Sequence, residues 1–83
     1  MTKIHNIKDK EPTWEELKKL VGGYIEVAFD DGKTQLICNE EGKLEGLPVN
    51  GEAMILWASL LGYPPTDFLV GDVVVLTGDA LLT

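Results

Sequence analysis

The sequence predicts a small α+β domain in which two helices pack on one face of a small, mostly antiparallel sheet of three or four strands. Two alternating segments joined by Asp31-Gly32 predict a central β-hairpin. Segments 13–22 and 50–62 carry apolar residues at helical spacing. Residues 72–77 form an apolar run that predicts a buried strand. A chain of 83 residues has the length of one such domain, spanning residues 1–83.

The N-terminal part of the chain predicts one short strand and one helix. Residues 1–10 are expected to be weakly ordered or to form a short edge strand, with Ile4 facing inward. Thr13 and Glu16 have the spacing of a capping box, which starts the first helix. Gly22 is expected to end this helix in the left-handed conformation. One face of the helix is apolar and contains Trp14, Leu17, Leu20 and Val21.

Residues 24–38 predict the hairpin in detail. A two-residue turn with Asp31 and Gly32 as its central residues fixes the register of the two strands. In this register, one face is expected to be core and contains Ile25, Val27, Phe29, Thr34, Leu36 and Cys38. The other face is expected to be mostly exposed to water and contains Tyr24, Glu26, Ala28, Gln35 and Ile37.

The segment from 39 to 50, NEEGKLEGLPVN, is long for a connection in a chain of this size. In one interpretation it is a plain connector with a second tight turn at Glu41-Gly42, where the glycine takes a positive φ. In the other, Asn39, Lys43 and Asn50 form a polar cluster beside the N-terminus of the second helix. Because helix N-termini bind anions, this cluster would hold an anionic ligand.

The second helix is expected to run from an Asn50 cap to Gly62. It is apolar on nearly all sides, and Ile55 points away from its main apolar stripe. A small domain has one core to cover such a helix, so surplus apolar surface remains at Ile55 and on the face of Ile37 and Tyr24. This surplus predicts self-association, with a closed two-fold dimer as the commonest form.

Charge and composition exclude several classes of function. The net charge is −7, from 14 acidic and 7 basic residues. This charge argues against nucleic acid and against anionic membranes as partners. No apolar run has the length of a membrane span. A lone cysteine, Cys38, and an N-terminus without the pattern of an export signal predict a cytoplasmic protein.

The sequence shows no spacing typical of a catalytic or metal site. His5 is the one histidine and Cys38 the one cysteine, so zinc-binding motifs are missing from the sequence. Cys38 is predicted to face the core, where a thiol is inert. No glycine-rich phosphate loop occurs. We therefore expect no metal, no cofactor and no enzymatic activity.

Three blocks occur in order along the chain: LVGGYIE at 20–26, NEEGKLEGLPVN at 39–50 and VGDV at 70–73. Together they resemble domain-of-unknown-function family 3846, whose small members occur in phages, prophages and other mobile elements. The resemblance implies a phage-associated protein that works in the bacterial cytoplasm. It implies no activity. The matching positions are Gly22, Gly23, Tyr24, Asn39, Gly42, Lys43, Leu47, Pro48, Asn50, Gly71 and Asp72.

These observations predict a small acidic accessory protein that acts as a non-enzymatic binding module. Its expected partners are a second copy of itself, a host protein, or both, and one role for such a protein is to counter host defence. One alternative is a sponge that sequesters a small anionic signal such as a nucleotide. Another is an acidic mimic of nucleic acid. The candidate binding residues are Asn39, Glu41, Lys43, Asn50, Tyr24 and Asp72.

Overall fold

The structure, a computed structural model, describes residues 2–83. The elements in chain order are β1 (Ile4–Ile7), α1 (Trp14–Val21), β2 (Ile25–Asp30), β3 (Thr34–Asn39), α2 (Gly51–Leu61), β4 (Val73–Thr77) and a 3₁₀ turn at Gly78–Ala80. The four strands form one sheet in the order β1-β4-β3-β2. β4 is parallel to β1 and antiparallel to β3, and β3 is antiparallel to β2. The predicted α+β class with a mostly antiparallel sheet is confirmed.

Local signals in the sequence set the ends of both helices. At the start of α1, the Glu16 N–H donates to Thr13 Oγ1 at 3.1 Å, and the Thr13 N–H donates to Glu16 Oε1 at 3.0 Å. The side chain of Asn50 accepts a hydrogen bond from the first turn of α2. Gly22 and Gly62 end the two helices with a φ of 82° each. Within residues 2–83, neither helix has the length and apolar character to cross a membrane.

The two helices lie on opposite faces of the sheet, so the prediction that both lie on one face is wrong. On one face, the α1 residues Leu17 and Val21 pack in a cluster with strand residues Ile37, Val74 and Leu76. On the other face, the α2 residue Ala53 packs in a cluster with Leu36, Cys38, Val73 and Val75. Successive residues of a strand point to opposite faces. Because β3 and β4 are apolar at consecutive positions, both of their faces must be covered.

The hairpin turn is centred one residue later than predicted, on Gly32 and Lys33. The Asp31 N–H donates to the Thr34 C=O at 3.3 Å, which closes the hairpin beyond Asp31. The Asp31 carboxylate accepts hydrogen bonds from the N–H groups of Lys33 at 2.9 Å and Thr34 at 2.8 Å. These hydrogen bonds, that of Lys33 foremost, lower the pKa of Asp31. An aspartate that bonds to the backbone ahead of it favours a turn at the following residues.

A β-bulge between Val27 and Phe29 changes the pairing along β2. Before the bulge, Ile25 packs against the α1 cluster, whereas Ala28 and Phe29 pack against the α2 cluster. Ile37 is fully buried beneath α1. The prediction that the face of Ile37 is exposed to water is therefore wrong for β3, and Ile37 is not available as surplus surface for self-association.

Because both faces of β3 are covered, Leu36→Asp and Ile37→Asp should each unfold the domain. Each substitution buries a carboxylate without a partner, at a cost of several kcal/mol. A chain of this length is stable by roughly 4 to 12 kcal/mol in total. Val27→Asp is the matched control on β2, where the side chain is 45% exposed, and it should melt close to the unsubstituted protein. Circular dichroism melts measure all three, and a near-native melt for Ile37→Asp would contradict the burial of that face.

Candidate functional site

A cleft of about 370 Å³ opens beside β2, between the sheet and the segment that follows α2. Strand residues Glu26 and Cys38 line it, together with Trp57 from α2 and, from the following segment, Tyr63 and residues 65–70. Lys43 reaches the cleft from the turn that follows β3. The cleft is thus bordered by four parts of the chain, namely the hairpin strands, the turn after β3, α2 and the segment that follows α2. Such concave sites are the usual places for ligands.

Residues 63–70 form the cleft border that carries the aromatic side chains. Pro64 and Pro65 follow Tyr63 and prevent α2 from continuing, because proline lacks the N–H of a helical hydrogen bond. Leu69 is buried in the α2 cluster and attaches the segment to the core. Tyr63 and Phe68 remain 61% and 59% exposed. Two exposed aromatic rings on an anchored segment are typical of a binding surface.

The charges that line the cleft are predominantly negative. Glu26, Glu40 and Asp67 contribute carboxylates, and Lys43 contributes the one ammonium group of the lining formed by the described residues. Lys43 forms an ion pair with Asp67. The hydrogen bond in this pair lowers the pKa of Asp67 and raises that of Lys43, so both groups are charged at neutral pH. Since Asp67 already balances Lys43, a ligand that enters the cleft meets a negative charge.

The thiol of Cys38 lies in this lining but is not activated as a nucleophile. Burial raises its pKa to about 11, and the nearby negative charge of Glu26 raises it in the same direction. The thiol donates a weak hydrogen bond to Glu26 Oε1 at 3.9 Å. Because the thiolate is the nucleophilic form of cysteine, a thiol with this pKa is protonated at neutral pH and unreactive.

Trp57 brings an unsatisfied hydrogen-bond donor to the same region. Its indole N–H is buried and has no hydrogen-bond partner among residues 2–83. A buried polar group without a partner costs about 1–3 kcal/mol. Other atoms of Trp57 line the cleft, while the N–H group itself is shielded from it.

Asn39, one of the residues predicted to bind a ligand, lines the cleft, but its side chain is used inside the fold. Its Nδ2 donates to the C=O of Val21 at 3.3 Å and to Glu45 Oε1 at 3.2 Å. Its Oδ1 accepts a hydrogen bond from the Glu41 N–H at 2.8 Å. The residue is buried. Asn39 therefore joins the end of α1 to the turn after β3.

Asn50 and Asp72 lie apart from the cleft. They attach β1 to the start of β4. Asn50 Nδ2 donates to the C=O groups of Lys3 and Gly71, each at 3.0 Å. Asp72 accepts hydrogen bonds from His5 Nε2 at 2.9 Å and from the Lys3 N–H at 3.1 Å. These bonds, that of His5 foremost, lower the pKa of Asp72. Both predicted binding residues thus have a structural role at this junction.

The remaining predicted residues are exposed. Lys43 lies in the cleft, and Glu41 is exposed on the turn beside it. Tyr24 is 65% exposed, and its ring centroid lies 5.4 Å from Lys18 Nζ. The first turn of α2 does not contribute to the cleft lining. The fold therefore does not bring Lys43 together with the helix N–H groups that follow Asn50, as the anion-binding interpretation requires.

The turn after β3 has a different shape from the predicted one. Gly42 does not have a positive φ; in this turn the positive value, 71°, belongs to Gly46. A Cβ at Gly42 would lie 2.8 Å from Val70 Cγ2, so Gly42 is needed for space. The Leu47 N–H donates to the Gly42 C=O at 3.0 Å, and the turn packs against the end of segment 63–70. This contact fixes the position from which Lys43 reaches Asp67.

Most of the cleft residues were not predicted as site residues from the sequence. The helical stripe assigns Trp57 to the core, and the hairpin pattern assigns Glu26 to a solvated face. Tyr63, Asp67 and Phe68 fall between the second helix, predicted to end at Gly62, and the strand predicted at 72–77, where the sequence predicts no element. The available signal was the YPPTDF run, residues 63–68, where two aromatic residues lie in an irregular segment beside two prolines.

Residues 2–80 match the family described as domain of unknown function DUF3846, and the chain belongs to that family. The assignment predicted from the three sequence blocks is confirmed. Comparison with curated proteins and with solved structures finds no match in either set. The description of the family gives no activity, ligand or partner, so function must be argued from the cleft itself.

Proposed function

We propose that this member of the DUF3846 family is a non-enzymatic binding module whose cleft holds a positively charged part of a partner protein. One observation carries the proposal: the lining combines exposed aromatic rings with an excess of carboxylates. Aromatic residues are enriched in protein interfaces and supply much of their binding energy. Carboxylates around them select a partner of opposite charge.

The charge of the whole chain supports a basic partner. The net charge of −7 attracts positive surfaces and accelerates their encounter with the protein. For a phage-associated accessory protein, the expected partner is a host protein in the bacterial cytoplasm. Where that basic surface normally holds nucleic acid, the protein would act as an acidic mimic, so this alternative is a special case of the same proposal.

The sponge alternative has less support. Its best cation, Lys43, is already paired with Asp67. Capture of an anion would have to break this pair and overcome the carboxylates of Glu26 and Glu40 in the same lining. The observations therefore favour a cationic ligand over an anionic one.

Self-association is a second candidate, supported by Ile55. This residue is 75% exposed on α2 and borders a shallow depression with Ile4 of β1 and Leu56. A second copy placed there would cover the exposed side chain. Sedimentation at high micromolar concentration should show a dimer that Ile55→Glu converts to a monomer. A monomer for the unsubstituted protein would remove this candidate and leave the cleft proposal intact.

Capture of a partner should depend on the aromatic side chains of the cleft. The immobilised protein is incubated with a bacterial lysate, and bound proteins are identified by mass spectrometry. Phe68→Ala should reduce capture of a specific basic protein about tenfold or more, as for other interface aromatics. Trp14→Ala is the matched control, because Trp14 is 62% exposed and lies outside the cleft. Equal capture by both variants would contradict the proposal.

Two charge reversals separate a basic partner from an anionic ligand. Lys43→Glu adds negative charge inside the cleft, so it should preserve or strengthen binding of a basic protein and abolish capture of an anion. Lys33→Glu makes the same change of charge on the hairpin turn, outside the cleft. It should have a smaller effect in either case. Loss of the protein partner in Lys43→Glu alone would contradict the acidic-cleft proposal.

A further inference from the structure

We propose that the segment held by the cleft is an extended, basic stretch of polypeptide that adds to the outer edge of β2 as a fifth strand. This inference rests on the proposed function and specifies the chemistry and the binding mode of the partner. Strand addition supplies affinity through backbone hydrogen bonds, and alternate side chains supply specificity.

Among residues 2–83, the backbone groups on the outer edge of β2 have no hydrogen-bond partner. β2 is an edge strand in the sheet that residues 2–83 form. The Glu40 N–H donates to the Tyr24 C=O at 2.8 Å, and residues of an antiparallel pair alternate between bonded and non-bonded positions. Ile25 and Val27 are opposite Asn39 and Ile37 at non-bonded positions. The N–H and C=O groups of Ile25 and Val27 therefore point away from β3, towards the position of a partner strand.

The regular part of this edge is short and lies at the cleft. The bulge between Val27 and Phe29 interrupts the regular pattern of β2 after Val27, and bulges of this kind protect sheet edges from unspecific pairing. Residues 25–27 remain as the regular open edge. Glu26 and Val27 both belong to the lining of the cleft, so a strand added here lies along the cleft.

The two faces of this edge require different side chains from a partner strand. Glu26 is opposite Cys38, which belongs to the α2 cluster, so Glu26 lies on the same face as that cluster. A partner side chain on this face meets carboxylates, which favours arginine or lysine. Val27 shares the other face with Ile25 and is 45% exposed. A partner side chain on that face meets apolar surface, so the fitting segment alternates basic and apolar residues.

A second copy of the same edge fits poorly. If two β2 strands paired through residues 25–27, the Glu26 side chains of both copies would be brought together, and like charges on neighbouring strands are destabilising. A basic segment converts the same carboxylates into attractive contacts. Charge complementarity therefore favours a foreign basic strand over self-pairing at this edge.

The probe is a heptapeptide with blocked ends that alternates arginine and valine. Its binding is followed in the Trp14→Phe variant, where Trp57 in the cleft is the remaining tryptophan. Saturable change of the Trp57 emission is expected with this probe. A heptapeptide that alternates glutamate and valine should give no change, and Glu26→Lys should exchange the preference between the two. Equal binding of both probes by the unsubstituted cleft would overturn the inference.

Backbone methylation of the probe tests strand pairing itself. One version carries N-methyl groups on every valine and the other on every arginine. In a strand, alternate N–H groups point to opposite sides, so one version blocks pairing with β2 and the other leaves it free. Antiparallel addition opposite Val27 places the valine N–H groups towards β2, and parallel addition places the arginine N–H groups there.

One methylated version should therefore lose binding at least tenfold, while the other stays within about twofold of the unmethylated probe. Loss from both versions or from neither would overturn strand addition. The proposed function is judged separately, by whether partner capture from the lysate depends on Phe68. If that dependence holds while methylation has no selective effect, the cleft binds its partner in another mode and this inference alone fails.

Discussion

The structure depends on one constraint, which is that β3 and β4 are apolar at consecutive positions and must be covered on both faces. Leu36 and Ile37, which are neighbours on β3, are both fully buried, and they lie under different helices. A chain of 83 residues supplies two short helices for this purpose. With one helix placed on each face over the central strands, little of the chain remains to cover β2.

The candidate site follows from this shortage of cover. α2 ends at Leu61, and the chain returns to β4 through residues 63–70, which pack against the sheet through Leu69. This return covers only part of β2 on the α2 face, and the part that stays open is the cleft. Its carboxylates and aromatic rings come from elements that are distant in sequence, so the fold assembles the site.

The elements, the caps and the class of the fold were predictable because local interactions determine them. The faces of the helices were not. The alternation in β2 predicts a sheet with one face exposed to water. The signal that both faces are covered is the run LIC on β3, in which Ile37 lies between two other apolar residues. The loop residues Asn39 and Asn50 show why polar residues mislead. Their amides bond to the backbone of Val21 and Lys3, and such distant partners cannot be deduced from a single sequence.

Hydrogen exchange of individual backbone amides, measured by nuclear magnetic resonance on the free protein, tests the central claim most directly. If β2 ends the sheet with an open edge beside the cleft, the amides of Ile25 and Val27 exchange rapidly although they lie in a strand. The amide of Glu26, between them, faces β3 and exchanges slowly, as do the amides of β3 and β4. Exchange of the Ile25 and Val27 amides that is as slow as that of the Glu26 amide would show that this edge is covered and would contradict the account.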